Sequence, residues 1–260
     1  MNEVDAFLLG LIQGLTEFLP VSSSGHLVLS QELLGVRQEG LRFEVAVHLA
    51  TLVSVLAVYR RRVAALVWGS LRLRAESLRY VGKLALATVP AVVAYLLAGD
   101  WLEAQFEFPP GVGVCLILTG VVLWTTRWTL EAAQLPEPSW TAALLIGCAQ
   151  AFAILPGISR SGSTVAVALA LGVAPAAAAE FSFLMSVIAI AGAALVKLPD
   201  LSAASPDHAT AIAIGGAVAL VSGVAAIWLF VRLLRSRHFY RFAYYTWAAG
   251  ALFLVWLAAR

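Results

Sequence analysis

Two polar segments interrupt a chain that is otherwise strongly apolar, and they resemble each other. The first runs from Gln13 to His26 (QGLTEFLPVSSSGH) and the second from Gln150 to Thr164 (QAFAILPGISRSGST). Each passes from Gln through Leu-Pro into a cluster of Ser and Gly with one basic side chain, His26 or Arg160. Polar backbone is costly at membrane depth unless it is buried in protein or lines a wet cavity. We therefore expect the chemistry of this protein where the two segments meet.

The Ser and Gly clusters are suited to binding an anion. Helices that begin after them would point free backbone N–H groups into a cavity, and helix N-termini favour anions. Serine and threonine hydroxyls add donors, while Gly25 and Gly162 permit close backbone approach. Arg160 can bind two phosphate oxygens at once and keeps its charge. These features predict a phosphate or pyrophosphate site, since a carboxylate or halide would use fewer of the donors.

Glu17 and His26 are groups that a passive anion site does not need. An ionised Glu17 repels phosphate unless it holds a metal ion, a proton or a cation, and Gln13 lies on the same helical face. His26 titrates near neutrality, so it can move a proton or attack phosphorus. With Arg160 and a serine, these groups make a phosphoryl-transfer set. The structural alternatives are serines that only cap helices, a hydrogen-bonding His26, and an Arg160 that only neutralises Glu17 or Glu180.

The composition defines the elements that must position these groups. The chain is 61% hydrophobic and 12% charged, unlike a soluble domain. Six apolar stretches have near-spanning length, at 43–59, 81–99, 111–127, 175–196, 209–231 and 242–258. Four shorter ones flank the polar segments in pairs typical of re-entrant hairpins, at 4–18, 24–35, 141–154 and 162–172.

We predict an all-α polytopic membrane protein in which residues 1–260 form one membrane domain. The N-terminus lacks signal-peptide features, so its first helix is expected in the mature protein.

Charge placement predicts an orientation. Basic residues cluster between the first two spans and between the last two: Arg60 to Arg62, Arg72, Arg74, Arg79 and Lys83, then Arg232, Arg235, Arg237 and Arg241. The loops at 98–110 and 198–208 are acidic instead. Because basic loops stay cytoplasmic, both termini are expected outside, with the first hairpin entering from outside and the second from the cytoplasm.

Matching landmarks predict an inverted repeat with halves of about 1–127 and 128–260. Four pairs recur at an offset of 136 or 137 residues: Gln13 with Gln150, Pro20 with Pro156, Leu34-Gly35-Val36 with Leu171-Gly172-Val173, and Glu44 with Glu180. Inverted halves place a site near the midplane, where broken helices point their N-termini at one another.

The two segments resemble the signature motifs of the bacitracin-resistance family of undecaprenyl pyrophosphate phosphatases, and the similarity covers nearly the whole chain. It implies a bacterial plasma-membrane enzyme that hydrolyses undecaprenyl pyrophosphate to the monophosphate. That reaction recycles the lipid carrier for cell-wall synthesis and confers bacitracin resistance. The expected partners are the polyprenyl pyrophosphate substrate and membrane lipids, with no nucleic acid, and a homodimer is left open.

Residue by residue, the resemblance implies catalytic roles for four positions. Glu17 and His26 match the acid and histidine of the first motif, Ser23 the proposed nucleophile, and Arg160 the arginine that holds phosphate. Whether Ser23 or His26 attacks stays open. The expected substrate-binding residues are Gln13, Ser22, Ser24, Gly25, Ser159, Ser161 and Thr164.

The resemblance also implies stimulation by Mg²⁺ or Ca²⁺, cations that prefer carboxylate and phosphate oxygens. Glu17 is the candidate metal ligand. Gln13 stands where some family members have Glu, which puts a site of two carboxylates in doubt.

A transporter or flippase is the alternative function, because inverted repeats with paired re-entrant hairpins are a transporter architecture. It predicts movement of a lipid phosphate between leaflets without cleavage.

Overall fold

The structure, a computed structural model, describes residues 2–34, 41–202, 209–236 and 238–260. These residues form helices without a β-strand. Their bounds are α1 Glu3–Phe18, α2 Ser23–Leu34, α3 Leu41–Val58, α4 Arg60–Leu71, α5 Ala75–Ala104, α6 Pro109–Thr129, α7 Trp140–Phe152, α8 Arg160–Ala170, α9 Pro175–Ser202, α10 Ala209–Arg235 and α11 Phe242–Ala258. Single turns of 3₁₀-helix lie at Gln105–Glu107 and Phe239–Arg241.

Four of these helical segments are long and apolar enough to cross a membrane. They lie at Ala75–Glu107, Pro109–Thr129, Pro175–Val196 and Ala209–Arg235, and the bent pair α3–α4 can count as a fifth. The last expected span corresponds to α11, whose 17 residues extend about 25 Å. The chain is therefore a multi-pass, all-helical membrane protein.

Two expected loops are helical for much of their length. The acidic loop at 98–110 contains the end of α5 and the 3₁₀ turn at Gln105–Glu107. Residues 60–71 were expected in a basic loop, but they form α4, which is bent by 80° from α3. The segment folds as a helix because Leu66 is buried on one side while Arg60 and Arg61 remain outside the core. Such a helix can bury its apolar face and keep its basic residues in solvent. Most of the repeat landmark at 34–36 and of the acidic 198–208 loop lies outside the described residues.

Each short helical pair packs against a long helix of the other half of the chain. In the first pair, α1 and α2, a Cβ atom added at Gly14 of α1 would overlap Ala219 of α10. In the second pair, α7 and α8, a Cβ atom added at Gly147 of α7 would overlap Ala87 of α5. Small residues allow this close helix approach within membranes. The crossed packing holds both pairs on supports that come from distant sequence.

The polar tips of the two pairs meet beside the middle of α6. Gly25 of the first tip lies against Gly157 of the second. The Thr119 hydroxyl of α6 donates to the Gly157 carbonyl at 2.8 Å and accepts from the Ser159 N–H at 2.9 Å. The two polar segments are thus brought together on one helix, as the sequence predicted.

An aromatic cluster anchors the end of α1 beneath the tips. The Phe18 and Phe183 rings meet edge to face with centroids 5.5 Å apart, and Phe183 contacts Phe230 at 5.0 Å. All three side chains are fully buried. Since edge-to-face pairs add to the stability gained by burial, this cluster stabilises the turn of α1 that also carries Glu17.

Candidate active site

The first polar tip is a tight turn between α1 and α2. Ser22 has a φ of 70°, a left-handed conformation that is uncommon for residues other than glycine. Its hydroxyl accepts a hydrogen bond from the Gly25 N–H at 3.3 Å. The turn places Ser23 at the first position of α2, facing the last turn of α1.

The second tip is built in a similar way. Gly157 supplies the left-handed residue, with a φ of 95°. Ser159 is the N-cap of α8, and its hydroxyl accepts from the Gly162 N–H at 3.1 Å. Arg160 is therefore the first residue of α8.

Glu17 is the centre at which the two tips are joined. Its Oε1 accepts a hydrogen bond from Nη2 of Arg160 at 2.6 Å. Its Oε2 accepts from the Ser23 hydroxyl at 2.6 Å and from the Gln13 amide at 3.0 Å. A buried carboxylate is tolerated when it is paired and hydrogen-bonded in this way. The expected acid, hydroxyl and guanidinium therefore form one connected network.

Arg160 has donors to spare beyond its pairing with Glu17. Its Nη1 donates a long bond of 3.5 Å to the Ser182 carbonyl. A guanidinium carries five N–H groups in a planar fork, which suits phosphate oxygens. Because Arg160 lies at the wall of a cavity, its remaining donors can reach a bound anion.

That cavity lies between the two tips and has a volume of about 160 Å³. Phe106 forms part of one wall. It lies in the 3₁₀ turn that follows the end of α5, whereas the basic residues Arg72 and Arg74 precede the start of α5. The residues around the cavity come from both polar segments and from α3: Thr16, Glu17, Ser22, Ser23, Ser24, His48, Phe106, Ala153, Ile154, Ile158, Ser159 and Arg160.

The other expected binding residues lie behind this lining. The Ser161 hydroxyl donates to the Leu19 carbonyl at 3.1 Å, and Thr164 donates to the Arg160 carbonyl at 2.7 Å. Gln13 is fully buried and bonds Glu17, while Gly25 packs against the second tip. In this arrangement these four residues support the groups that line the cavity.

His26 also lies outside the cavity lining, and both of its ring nitrogens have partners. Nδ1 is 2.8 Å from the Ser22 carbonyl, and Nε2 is 2.8 Å from the Tyr245 hydroxyl. The two rings are stacked with centroids 5.6 Å apart. His26 therefore connects the strained turn at Ser22 to α11.

His48 and Phe106 are cavity residues that sequence reasoning missed. His48 belongs to neither polar segment, and nothing in the local sequence pattern relates it to them. In the structure its Nδ1 is 2.7 Å from the Glu44 carbonyl, and its Nε2 is 4.0 Å from Oε2 of Glu17. The side chain is 35% exposed and lines the cavity. Only the packing of α3 beside α1 brings this imidazole to the site.

The arrangement does not fit a metal ion held by Glu17. Both carboxylate oxygens already accept hydrogen bonds, and a cation there would lie against the charge of Arg160. The described part of the chain contains no group of three His, Cys, Asp or Glu side chains that could hold a metal. Gln13 offers a buried Oε1 without a partner among these residues, but one neutral oxygen is a weak addition.

Comparison with known proteins identifies relatives along the full length of the chain. A family model described as "Bacitracin resistance protein BacA" matches residues 6–252. A protein of Pelotomaculum thermopropionicum named undecaprenyl-diphosphatase is 41% identical over 262 residues, covering 100% of this chain and 98% of the relative. Proteins of the same name are 40% identical in Alcanivorax borkumensis (99% and 100% covered) and 37% identical in Desulfatibacillum aliphaticivorans (98% and 99% covered).

Proposed function

This chain belongs to the family of bacitracin resistance protein BacA, and from that premise we propose that it is an undecaprenyl-diphosphatase. It hydrolyses undecaprenyl pyrophosphate to undecaprenyl phosphate and inorganic phosphate. The observation that carries this assignment is the network of Ser23, Glu17 and Arg160, which combines a hydroxyl, a carboxylate and a guanidinium at one cavity. The name shared by relatives that match the chain from end to end supports the same substrate.

The terminal phosphate binds between the two tips. The spare donors of Arg160 and the backbone N–H groups at the starts of α2 and α8 stabilise the charge that develops on its oxygens. The hydroxyls of Ser22, Ser24 and Ser159 lie on the same wall. The polyprenyl tail leaves the cavity among apolar helices towards lipid.

Ser23 is the nucleophile. Its hydroxyl donates to Glu17 at 2.6 Å, so the carboxylate can take the proton as oxygen attacks phosphorus. The bond from phosphorus to the bridging oxygen breaks, and undecaprenyl phosphate leaves. His26 is the other candidate nucleophile, but both of its ring nitrogens are engaged, which favours Ser23. We assign His26 to positioning the turn at Ser22.

Stimulation by Mg²⁺ or Ca²⁺ is expected to come from a cation carried on the pyrophosphate oxygens rather than from one held by Glu17. Pyrophosphate offers the hard oxygen ligands that these ions prefer. No step of the mechanism above depends on such an ion.

In the membrane we propose six spans and two re-entrant hairpins arranged as an inverted repeat. The crossed packing of α1 on α10 and of α7 on α5 supports the repeat, because each hairpin lies against the other half. The basic loops are cytoplasmic and both termini are outside. Phe106, which lines the cavity, follows the end of α5 opposite to Arg72 and Arg74, and this supports a cavity that opens to the outer side of the plasma membrane.

A flippase that leaves the substrate intact is less favoured. Transport needs a site that binds and releases the lipid phosphate, whereas the short bond from Ser23 to Glu17 prepares a nucleophile. Cleavage and movement are separated by measuring free phosphate.

The test is phosphate release from undecaprenyl pyrophosphate by detergent-purified protein, in EDTA and in Mg²⁺. Glu17→Ala and Arg160→Ala are expected to abolish release, because each removes one side of the central pair. Arg62→Ala is the matched control, since Arg62 pairs with Glu180 away from the cavity. Each variant is checked for folding by thermal unfolding. Absence of release by well-folded parent protein would overturn the enzyme assignment and direct the question to lipid movement in vesicles.

A further inference from the structure

We propose that His48 is the general base of the second half of the reaction, in which water releases phosphate from phosphorylated Ser23. This inference rests on the proposed function and on attack by Ser23. It assigns a chemical role to an imidazole that belongs to neither polar segment.

The first half of the reaction leaves Glu17 unable to act as a base. When Ser23 attacks, its proton passes to Glu17, whose other oxygen stays paired with Arg160. Hydrolysis of the phosphoserine then needs a group that takes a proton from water. While Glu17 holds that proton it cannot act as the base, and a second acceptor at the same cavity can take the proton from water instead.

His48 has the geometry of that acceptor. A carbonyl oxygen can only accept a hydrogen bond, so Nδ1 of His48, 2.7 Å from the Glu44 carbonyl, carries the ring proton in the neutral imidazole. Nε2 is then left with a lone pair. Among the described residues it makes no hydrogen bond, because Oε2 of Glu17 is 4.0 Å away. Because the side chain is 35% exposed and lines the cavity, water can reach it and donate a hydrogen bond to this nitrogen.

The other histidine near the site lacks these properties. His26 is 8% exposed, and its two nitrogens contact Ser22 and Tyr245. It is also absent from the cavity lining. The two imidazoles therefore have different positions. His26 bonds the turn at Ser22, whereas His48 lines the cavity in which we propose the reaction.

The proposed step is balanced. A bond forms between the water oxygen and phosphorus while the bond from phosphorus to the Ser23 oxygen breaks. The proton lost by water passes to Nε2 of His48, and the proton held by Glu17 returns to the serine oxygen. Phosphate leaves, and His48 then releases its proton to solvent through the open cavity. Among the described residues, the charged group of Glu17 on α1 lies beside the imidazole, and Arg160 on α8 pairs with the other oxygen of Glu17.

The experiment is a rapid-quench time course on His48→Gln and His48→Ala with undecaprenyl pyrophosphate, following both undecaprenyl phosphate and free phosphate. We expect a burst of undecaprenyl phosphate close to one per enzyme, followed by steady-state turnover about 10²-fold or more below the parent. An acid-stable phosphoryl group should accumulate on Ser23, detectable by mass spectrometry of the peptide. Added imidazole should accelerate the steady state of His48→Ala. His238→Gln, which changes an exposed histidine of the last connection, is the matched control and should behave as the parent.

Three results would overturn the proposal while parent protein still releases phosphate. The first is a steady-state rate of the His48 variants equal to that of the parent. The second is a loss of the burst of undecaprenyl phosphate together with turnover. The third is slow turnover of the variants without accumulation of phosphoserine. The second result would place His48 at or before the attack on phosphorus. If the parent itself releases no phosphate, it is the proposed function that fails.

Discussion

The two polar tips share a frame and differ in their chemistry. Ser22 bonds the Gly25 N–H in the first tip as Ser159 bonds the Gly162 N–H in the second. In each, the same serine hydroxyl lies 3.3 Å from the hydroxyl two residues later. At the next position, however, the first tip has Ser23 and the second has Arg160. Helix capping is thus common to both halves, while the proposed nucleophile lies in the first half and the cation in the second.

The helices that lead into the tips differ in the same way. Gln13 and Gln150 occupy matching positions, but Glu17 in the first half is matched by Ile154 in the second. The Gln13 amide therefore has a carboxylate to bond, whereas neither end of the Gln150 amide has a partner among the described residues. The first half therefore carries Glu17 and the side chains of Gln13 and Ser23 that bond it. The second half carries Arg160, whose charge neutralises Glu17.

The largest expected effect on activity is at Ser23, the proposed nucleophile of the first tip. Ser23→Ala should lower kcat by about 10⁴-fold or more, because it removes the nucleophile while leaving the ion pair in place. Ser24→Ala is the matched change. Among the described residues its hydroxyl bonds Ser22, so this variant should lower kcat by about tenfold or less. The measurement is steady-state phosphate release. Equal losses in the two variants would show that Ser23 acts only as another phosphate ligand.

The next largest effect concerns the cation of the second tip. Arg160→Lys keeps the charge but loses the planar fork, so it should lower kcat/KM by about 10³-fold. Arg62→Lys, which changes the partner of Glu180, is expected to retain activity within a few fold. The two variants are compared by phosphate release over a range of substrate concentrations. Full activity of Arg160→Lys would contradict bidentate phosphate binding.

A third pair of variants tests the two glutamines through stability. Gln13→Leu should lower the free energy of unfolding by about 1–3 kcal/mol, since it removes a donor from the buried Glu17 carboxylate. Gln150→Leu should leave stability unchanged or raise it by about 1 kcal/mol, because its buried amide is unpaired. Denaturant unfolding of both proteins in detergent provides the measurement. A large destabilisation by Gln150→Leu would contradict the asymmetry.

The smallest effect is expected at α11. Tyr245→Phe removes the hydroxyl that contacts Nε2 of His26, at a cost of about 1 kcal/mol, and should lower activity about fivefold through the turn at Ser22. Tyr244→Phe is the control, since the described contacts of Tyr244 are with the rings of Trp124 and Trp247. The measurement is steady-state phosphate release by the Tyr245→Phe and Tyr244→Phe variants. A loss near that of Ser23→Ala would instead indicate that His26 reacts directly.

Local sequence determined much of this protein. Apolar runs of a given length specify helices in lipid because backbone groups there must bond within their own segment. Each predicted apolar stretch accordingly corresponds to a helix among the described residues. Serine and glycine at the tips likewise specify the caps of α8 and the turn into α2, since these depend on neighbours within four residues. The polar residues that the pattern singled out, Glu17, Ser23 and Arg160, are the ones that meet.

Only the tertiary structure decided how these parts are combined. Whether Arg160 pairs with Glu17 or with Glu180 depends on contacts across 143 residues of sequence, and Arg62 of the unexpected helix α4 takes Glu180 instead. The roles of the two histidines were decided in the same way, because α3 carries His48 to the cavity while α11 engages His26 through Tyr245. Helix formation depends on residues a turn apart, whereas ion pairing and access to a cavity depend on how distant helices pack.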